Sequence, residues 1–231
     1  MNYLLKFTLI IPVLAGSFLI YSSSRYFVDS IRSIETLQIE DKLLDKKNIS
    51  LKEKKILFDS IKLRLESIDS PELYYKKSNF ERRLAEIEDD RTQKLYWYER
   101  AEDSIENSLI RRPSDPYALF RLAYIKYKLS GPNTVSAKAL ELSYLTGMHE
   151  PSLGYERTRL ALKLWNILST NTKKLAKSQI IFAFPYHGTK LINLAKQNHK
   201  NLRIITRAMA KDIKQFKTYI RSVNKKPVSV R

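Results

Sequence analysis

At 231 residues, with a formal net charge of +18 and a pI near 9.9, the chain is strongly basic and suited to anionic surfaces: lipid headgroups, acidic polymers or nucleic acid. The absence of cysteine excludes a disulfide framework and any thiolate metal site. A hydrophobic content of 43% with only 5 Gly and 8 Pro describes a chain that buries a core, has few loops and favours helices.

The chain opens with an apolar run from Tyr3 to Tyr21, broken by one charge, Lys6. A helix of that length spans roughly 28 Å, close to the hydrocarbon thickness of a bilayer, and Pro12 and Gly16 are tolerated in membrane helices. The expectation is a transmembrane anchor over residues 1–24. The competing reading is a cleaved signal peptide, with Ser22 and Ser24 as the small residues at the cleavage site. The expected orientation puts the N-terminus inside and the following domain outside. Over residues 25–49, Tyr26, Phe27, Ile31, Ile34 and Leu37 recur at intervals of three and four, which predicts an amphipathic helix beside the membrane or on the soluble domain.

Ser50 followed by Glu53 is a capping box. It opens a helix that offers Ile56, Leu57, Ile61, Leu65 and Ile68 to a core and stops at Asp69-Ser70-Pro71. Pro71 starts the next helix, with Leu73, Tyr74, Phe80, Leu84 and Ile87 apolar, and Asp89-Asp90 marks its end. The helix after that is lined by Tyr96, Trp97, Ala101, Ile105, Leu109 and Ile110.

Pro116 and Pro151 then stand 35 positions apart, each preceded by an acid able to cap a helix and each opening an amphipathic run. Proline in a first helical turn wastes no hydrogen bond, because that N–H has no partner there. Between them Gly131-Pro132 interrupts the pattern, with Phe120, Ala123, Tyr124 and Tyr127 before it and Ala137, Leu140 and Tyr144 after it. Gly147 is placed to take the left-handed conformation that stops a helix. A period near 34 in this layout is the mark of tetratricopeptide-type helical hairpins. The preceding unit is longer, since Pro71 and Pro116 lie 45 apart, so the repeat is divergent. The fold class read here is all-α: a transmembrane helix followed by tetratricopeptide-like hairpins over residues 50–170. The residues that define the repeat are Pro113, Pro116, Tyr117, Ala118, Gly131, Gly147, Pro151 and Trp165.

Residues 171–231 hold 15 Lys and Arg against the single acid Asp212, whereas residues 1–150 are nearly neutral. The basic helices expected over residues 171–221 comprise one ending at Pro185, a turn at Pro185-Tyr186-His187-Gly188, a helix with Leu191, Leu194 and Ala195, and another from Asn201 to Ile220. Arg207, Lys211, Lys214, Lys217 and Arg221 form a candidate anion-binding set on that last element. A disordered tail is expected over 222–231.

No catalytic grouping is apparent in the sequence. His149, His187 and His199 are isolated, and no metal-ligand spacing, Gly-rich phosphate loop or nucleophile elbow occurs. The expectation is a protein that is not an enzyme and needs no cofactor. Tyr74, Tyr75, Tyr96, Trp97 and Tyr98 are a candidate binding groove, with core packing as the alternative.

Three stretches carry a family resemblance: Arg111-Arg112-Pro113-Ser114-Asp115-Pro116-Tyr117-Ala118, Gly147-Met148-His149-Glu150-Pro151 and Leu164-Trp165. In these the chain resembles the VpsP-like proteins encoded in bacterial polysaccharide-biosynthesis clusters, over most of residues 1–200. The family's second turn usually reads Gly-Pro-Trp-Glu-Pro, and here Met148 and His149 replace the central pair. The resemblance implies an accessory role in exopolysaccharide or O-antigen production and supplies no catalytic residues. The expected protein is a single-pass bacterial inner-membrane scaffold with a periplasmic domain. Its expected partners are polysaccharide-assembly membrane proteins and the lipid bilayer; the alternative is binding of anionic polymer or lipid through the basic C-terminal helices. Nucleic acid is not expected, since it would require a domain facing the cytoplasm.

Overall fold

Proline and cap chemistry set the helix starts. The computed structural model describes Lys42, residues 50–67 and residues 69–224, and over these the chain is all-α. Described residues fall into two units, one ending at Asp69 and the other beginning at Ser70. The first contains α1 (Leu51–Ser67). Its capping box is formed as the sequence predicts: the Ser50 N–H donates to Glu53 Oε2 at 2.7 Å and the Glu53 N–H donates to Ser50 Oγ at 3.2 Å. Hydrogen bonds from Lys42 and then Ser50 hold the Glu53 carboxyl down at about 2. The anchor expected over 1–24, the amphipathic segment over 25–49 and residues 225–231 of the tail expected over 222–231 lie outside the described residues, Lys42 apart, while residues 222–224 of that tail are helical. Among the described residues no helix is long and apolar enough to cross a membrane.

The second unit holds α2 (Pro71–Ile87), α3 (Arg91–Arg111), α4 (Pro116–Ser130), α5 (Thr134–Thr146), α6 (Pro151–Leu164), α7 (Thr170–Lys196), α8 (His199–Met209) and α9 (Ile213–Asn224). Prolines open α2, α4 and α6, as expected. Asp90, Asp115, Asn133, Ser169 and Asn198 cap α3, α4, α5, α7 and α8 through their side chains. Gly131 ends α4 at φ +68, a conformation other residues rarely adopt.

Helices α2 and α3, α4 and α5, and α6 and α7 pack as successive hairpins, and α8 and α9 close the end against α7. One contact recurs in all three. A side chain on the second helix meets the carbonyl of the proline that opens the first. Ser108 Oγ donates to Pro71 O at 2.8 Å, Ser143 Oγ donates to Pro116 O at 2.7 Å, and His187 Nε2 lies 2.7 Å from Pro151 O.

Among the described residues, three apolar clusters run along the stack. The first joins Ala85, Tyr98, Ala101, Ile105, Ala118 and Ile125. The second joins Ala123, Leu140, Tyr144, Leu160 and Leu164, and the third Ile180, Phe184, Leu191, Ile205, Met209 and Tyr219. Leu122 bridges the first pair and Trp165 the second pair. Each buried Leu or Ile contributes about 2 kcal/mol, so clusters shared between hairpins favour stacking over any isolated hairpin.

Several local expectations are corrected. The turn expected at Pro185-Tyr186-His187-Gly188 takes the form of a kink between two helical stretches. Pro185 lies inside α7, which kinks at His187 (φ −133, ψ 24) and continues to Lys196. Pro185 lacks the N–H for Ile181 and forces the bend, while Phe184 before the kink and Leu191 after it feed one cluster and hold the helix together. The single helix expected from Asn201 to Ile220 is two. The Asp212 side chain accepts from the Gln215 N–H at 3.0 Å and so starts α9 as a separate element. Gly147 is not left-handed (φ −160, ψ 64). Its lack of a side chain serves a close approach, since a Cβ there would sit 2.7 Å from Pro116 Cβ. Glu150 does not cap α6; its carboxylate accepts from Tyr117 OH at 2.6 Å instead, joining the second hairpin to the third. Ile110 is not in the core but 76% exposed.

Glu81 is fully buried between α2 and α3, accepting from Ser104 Oγ at 2.6 Å and Arg100 Nε at 3.2 Å. Burial raises its carboxyl above the ordinary 4.5, and these donors offset only part of that. The folded state therefore holds this proton more tightly than the unfolded state. The contribution of Glu81 to stability is fullest below 4.5 and declines as pH rises through the folded value. Urea titrations from about pH 4 to about pH 8 should show the stability of the wild type falling relative to Glu81→Gln as pH rises. A gap that stays flat, or moves the other way, contradicts this.

Candidate functional site

A set of polar side-chain bridges joins the Pro-led helices α2 and α4. Tyr75, Asn79, Arg82 and Glu86 recur on α2 at one helical face, and Tyr117, Arg121, Tyr124 and Lys128 recur on α4 with the same spacing. The two stripes meet. Arg121 donates to Asn79 Oδ1 and, at 2.8 Å, to Tyr75 OH, with its guanidinium 4.9 Å from the Tyr75 ring centre. Arg82 donates to the same Asn79 oxygen at 3.0 Å and to Glu86 Oε1 at 2.5 Å, and Tyr124 OH donates to Glu86 Oε1 at 2.9 Å. Lys128 and Arg82 both stand over the Tyr124 ring, at 5.4 and 5.9 Å. Toward α6 the lattice continues through Tyr117 OH, 2.9 Å from Ser152 Oγ, and Lys163 over the Tyr127 ring at 5.2 Å.

The electrostatics of this face are one-sided. Burial would raise the Glu86 carboxyl, but the charge and hydrogen bond of Arg82, the Tyr124 hydroxyl and Lys128 outweigh it and hold the carboxyl low. Glu86 is thus an anion already committed to Arg82. Among the described residues Arg121 has no such partner: its hydrogen bonds go to an amide oxygen and a phenol. Burial first, and then the nearby charge of Arg82, pull its guanidinium down to about 10, so it is still charged at neutral pH. A guanidinium carries five N–H donors, and Asn79 and Tyr75 engage two of them.

The five aromatics of the candidate groove are divided. Tyr98, 3% exposed, is a core residue, and Tyr75 and Trp97 lean on the same cluster. Tyr96 is exposed and meets Trp97 edge-on at 5.1 Å, with the Arg100 guanidinium over both rings at 5.7 and 5.8 Å. Tyr74 lies under Arg111 at 4.4 Å. Of the five, Tyr75 alone takes part in the α2–α4 lattice. Asn79, Arg82, Glu86 and Arg121 were not singled out in the sequence, although their shared spacing with Tyr75 and Tyr124 is written there.

In the candidate anion set, Arg207, Lys211, Lys217 and Arg221 are exposed; the Lys214 side chain lies outside the described residues. Among the repeat-defining residues, Pro113 is exposed in the turn before α4, Ala118 is fully buried in the first cluster, and Trp165 sits at the end of α6 between two clusters. His149 packs edge-on against Phe182 at 5.1 Å. Among the described residues no three His, Cys, Asp or Glu side chains converge as metal ligands. In comparisons with known proteins, no family model, no curated protein and no solved structure matches this chain.

Proposed function

We propose that the chain is a membrane-anchored scaffold of tetratricopeptide-like hairpins that holds components of exopolysaccharide or O-antigen synthesis or export together. The observation that carries this reading is the repeated hairpin. Three Pro-led first helices, each latched at its proline carbonyl by the second helix, are joined side by side through Arg121, Tyr124 and Tyr117. Such stacking presents continuous surface along which a partner lies. The apolar run from Tyr3 to Tyr21 supplies the tether, and the VpsP-like resemblance supplies the process. Extraction of the tagged full chain in mild detergent should co-purify membrane proteins of polysaccharide assembly. Recovery of none of them contradicts the reading.

The exposure of Arg207, Lys211, Lys217 and Arg221 favours a second reading, in which α8 and α9 bind anionic polymer or lipid. Changing these four residues to glutamine removes the charge and leaves the buried Ile205, Met209 and Tyr219 in place. Salt-sensitive binding to anionic vesicles or polyuronate should then disappear, and unchanged binding rejects this reading.

A further inference from the structure

We propose that Arg121 is the anchor of a binding site for an acidic polypeptide segment, whose Asp or Glu carboxylate completes the guanidinium between α2 and α4. This names the partner chemistry of the scaffold face and rests on that reading. Arg121 is half-buried, and its protein acceptors are the neutral Asn79 Oδ1 and Tyr75 OH. Among the described residues no carboxylate lies within ion-pair distance of it, and the adjacent Glu86 is taken by Arg82 and Tyr124. A cation withdrawn from water without an anion is costly unless something supplies one. A carboxylate supplies it with charge-assisted hydrogen bonds to the donors that remain.

The surroundings select the kind of carboxylate. Arg121 lies low between two helices, with the Tyr75 ring 4.9 Å from its guanidinium. A slender Asp or Glu side chain reaches such a position, whereas a carboxylate borne directly on a sugar ring brings the ring with it. One further cation, the exposed Lys128, lies two turns along α4 and stands over the Tyr124 ring.

The decisive variant is Asn79→Asp. The Asn79 oxygen already accepts from both Arg121 and Arg82, so an aspartate there supplies an internal carboxylate without disturbing the packing. Binding of the full chain in mild detergent to a fluorescent Glu-Gly repeat peptide is measured by anisotropy, beside Arg121→Gln and the fourfold glutamine variant at 207, 211, 217 and 221. The expected result is loss of about tenfold or more in affinity for Asn79→Asp and Arg121→Gln, with an unchanged or higher melting temperature for Asn79→Asp. Affinity lost in the fourfold variant but kept in Arg121→Gln overturns the site. Wild-type affinity in Asn79→Asp overturns the site, as does tighter binding of polyuronate than of the peptide. Recovery of partner proteins separates the two claims. Loss of all partners from the wild type contradicts the scaffold reading, while partners retained by Asn79→Asp contradict the Arg121 site alone.

Discussion

Replacing Arg157 by leucine is expected to lower the free energy of unfolding by about 3 kcal/mol. Arg157 is 0% exposed, and what it holds is the end of another helix. Nη2 donates to the Ser143 carbonyl and, at 2.8 Å, to Ser143 Oγ; Nε donates to that hydroxyl at 3.0 Å. Nη1 donates to the Gly147 carbonyl at 2.6 Å. These carbonyls belong to the C-terminal end of α5, where the helix itself offers no N–H partners and the macrodipole favours a cation. The guanidinium also stands 5.5 Å from the centre of the buried Tyr144 ring. Burial pulls its pKa below the ordinary arginine value, to about 10, because the charged form is disfavoured inside. Leucine removes that cost but leaves two carbonyls without donors in the interior, each worth about 1–3 kcal/mol. Lysine keeps the charge and loses the fork, so Arg157→Lys should fall between the two. Urea denaturation of the three proteins checks this; a loss below about 1 kcal/mol for leucine contradicts the role.

The second large effect is expected at Gly154, where α6 crosses α7. A Cβ there would lie 2.7 Å from Ala183 Cβ, 3.5 Å from Ala183 Cα and 3.4 Å from Gln179 Nε2. The Gln179 amide is the end of a flexible chain and can give, but Ala183 Cβ and Cα cannot, so the helices must separate. Gly154→Val should cost about 3 kcal/mol by overpacking. Gly154→Ala should cost less, because alanine recovers about 1 kcal/mol of helix propensity. Removing the opposing methyl group with Ala183→Gly should restore part of the stability of Gly154→Ala, and the double-mutant cycle should show coupling. Additive effects contradict the contact.

Much of the helix layout was legible because caps are local chemistry. Pro71, Pro116 and Pro151 mark helix starts through a fixed φ and a missing N–H, and Asp90 and Asp115 cap with their own side chains. Pro185 carries a local breaking signal and bends α7, whose two halves stay joined because both feed one cluster. Gly147 reads as a cap in sequence and proves to be a point of close approach to Pro116, a long-range matter. Arg157 counts in the sequence only as one more basic residue, and its burial depends on where α5 ends. The α2–α4 face was hidden for a related reason. Polar residues repeating on one side of an amphipathic helix read as solvent-facing, and only the packing of two such stripes turns Asn79 and Arg121 into partners.

Amide hydrogen exchange on the full chain, with and without the Glu-Gly peptide, tests the central claim most directly. Added protection in residues 75–86 and 117–128, absent in Asn79→Asp, is the predicted result. Protection confined to residues 207–221, or none at all, contradicts it.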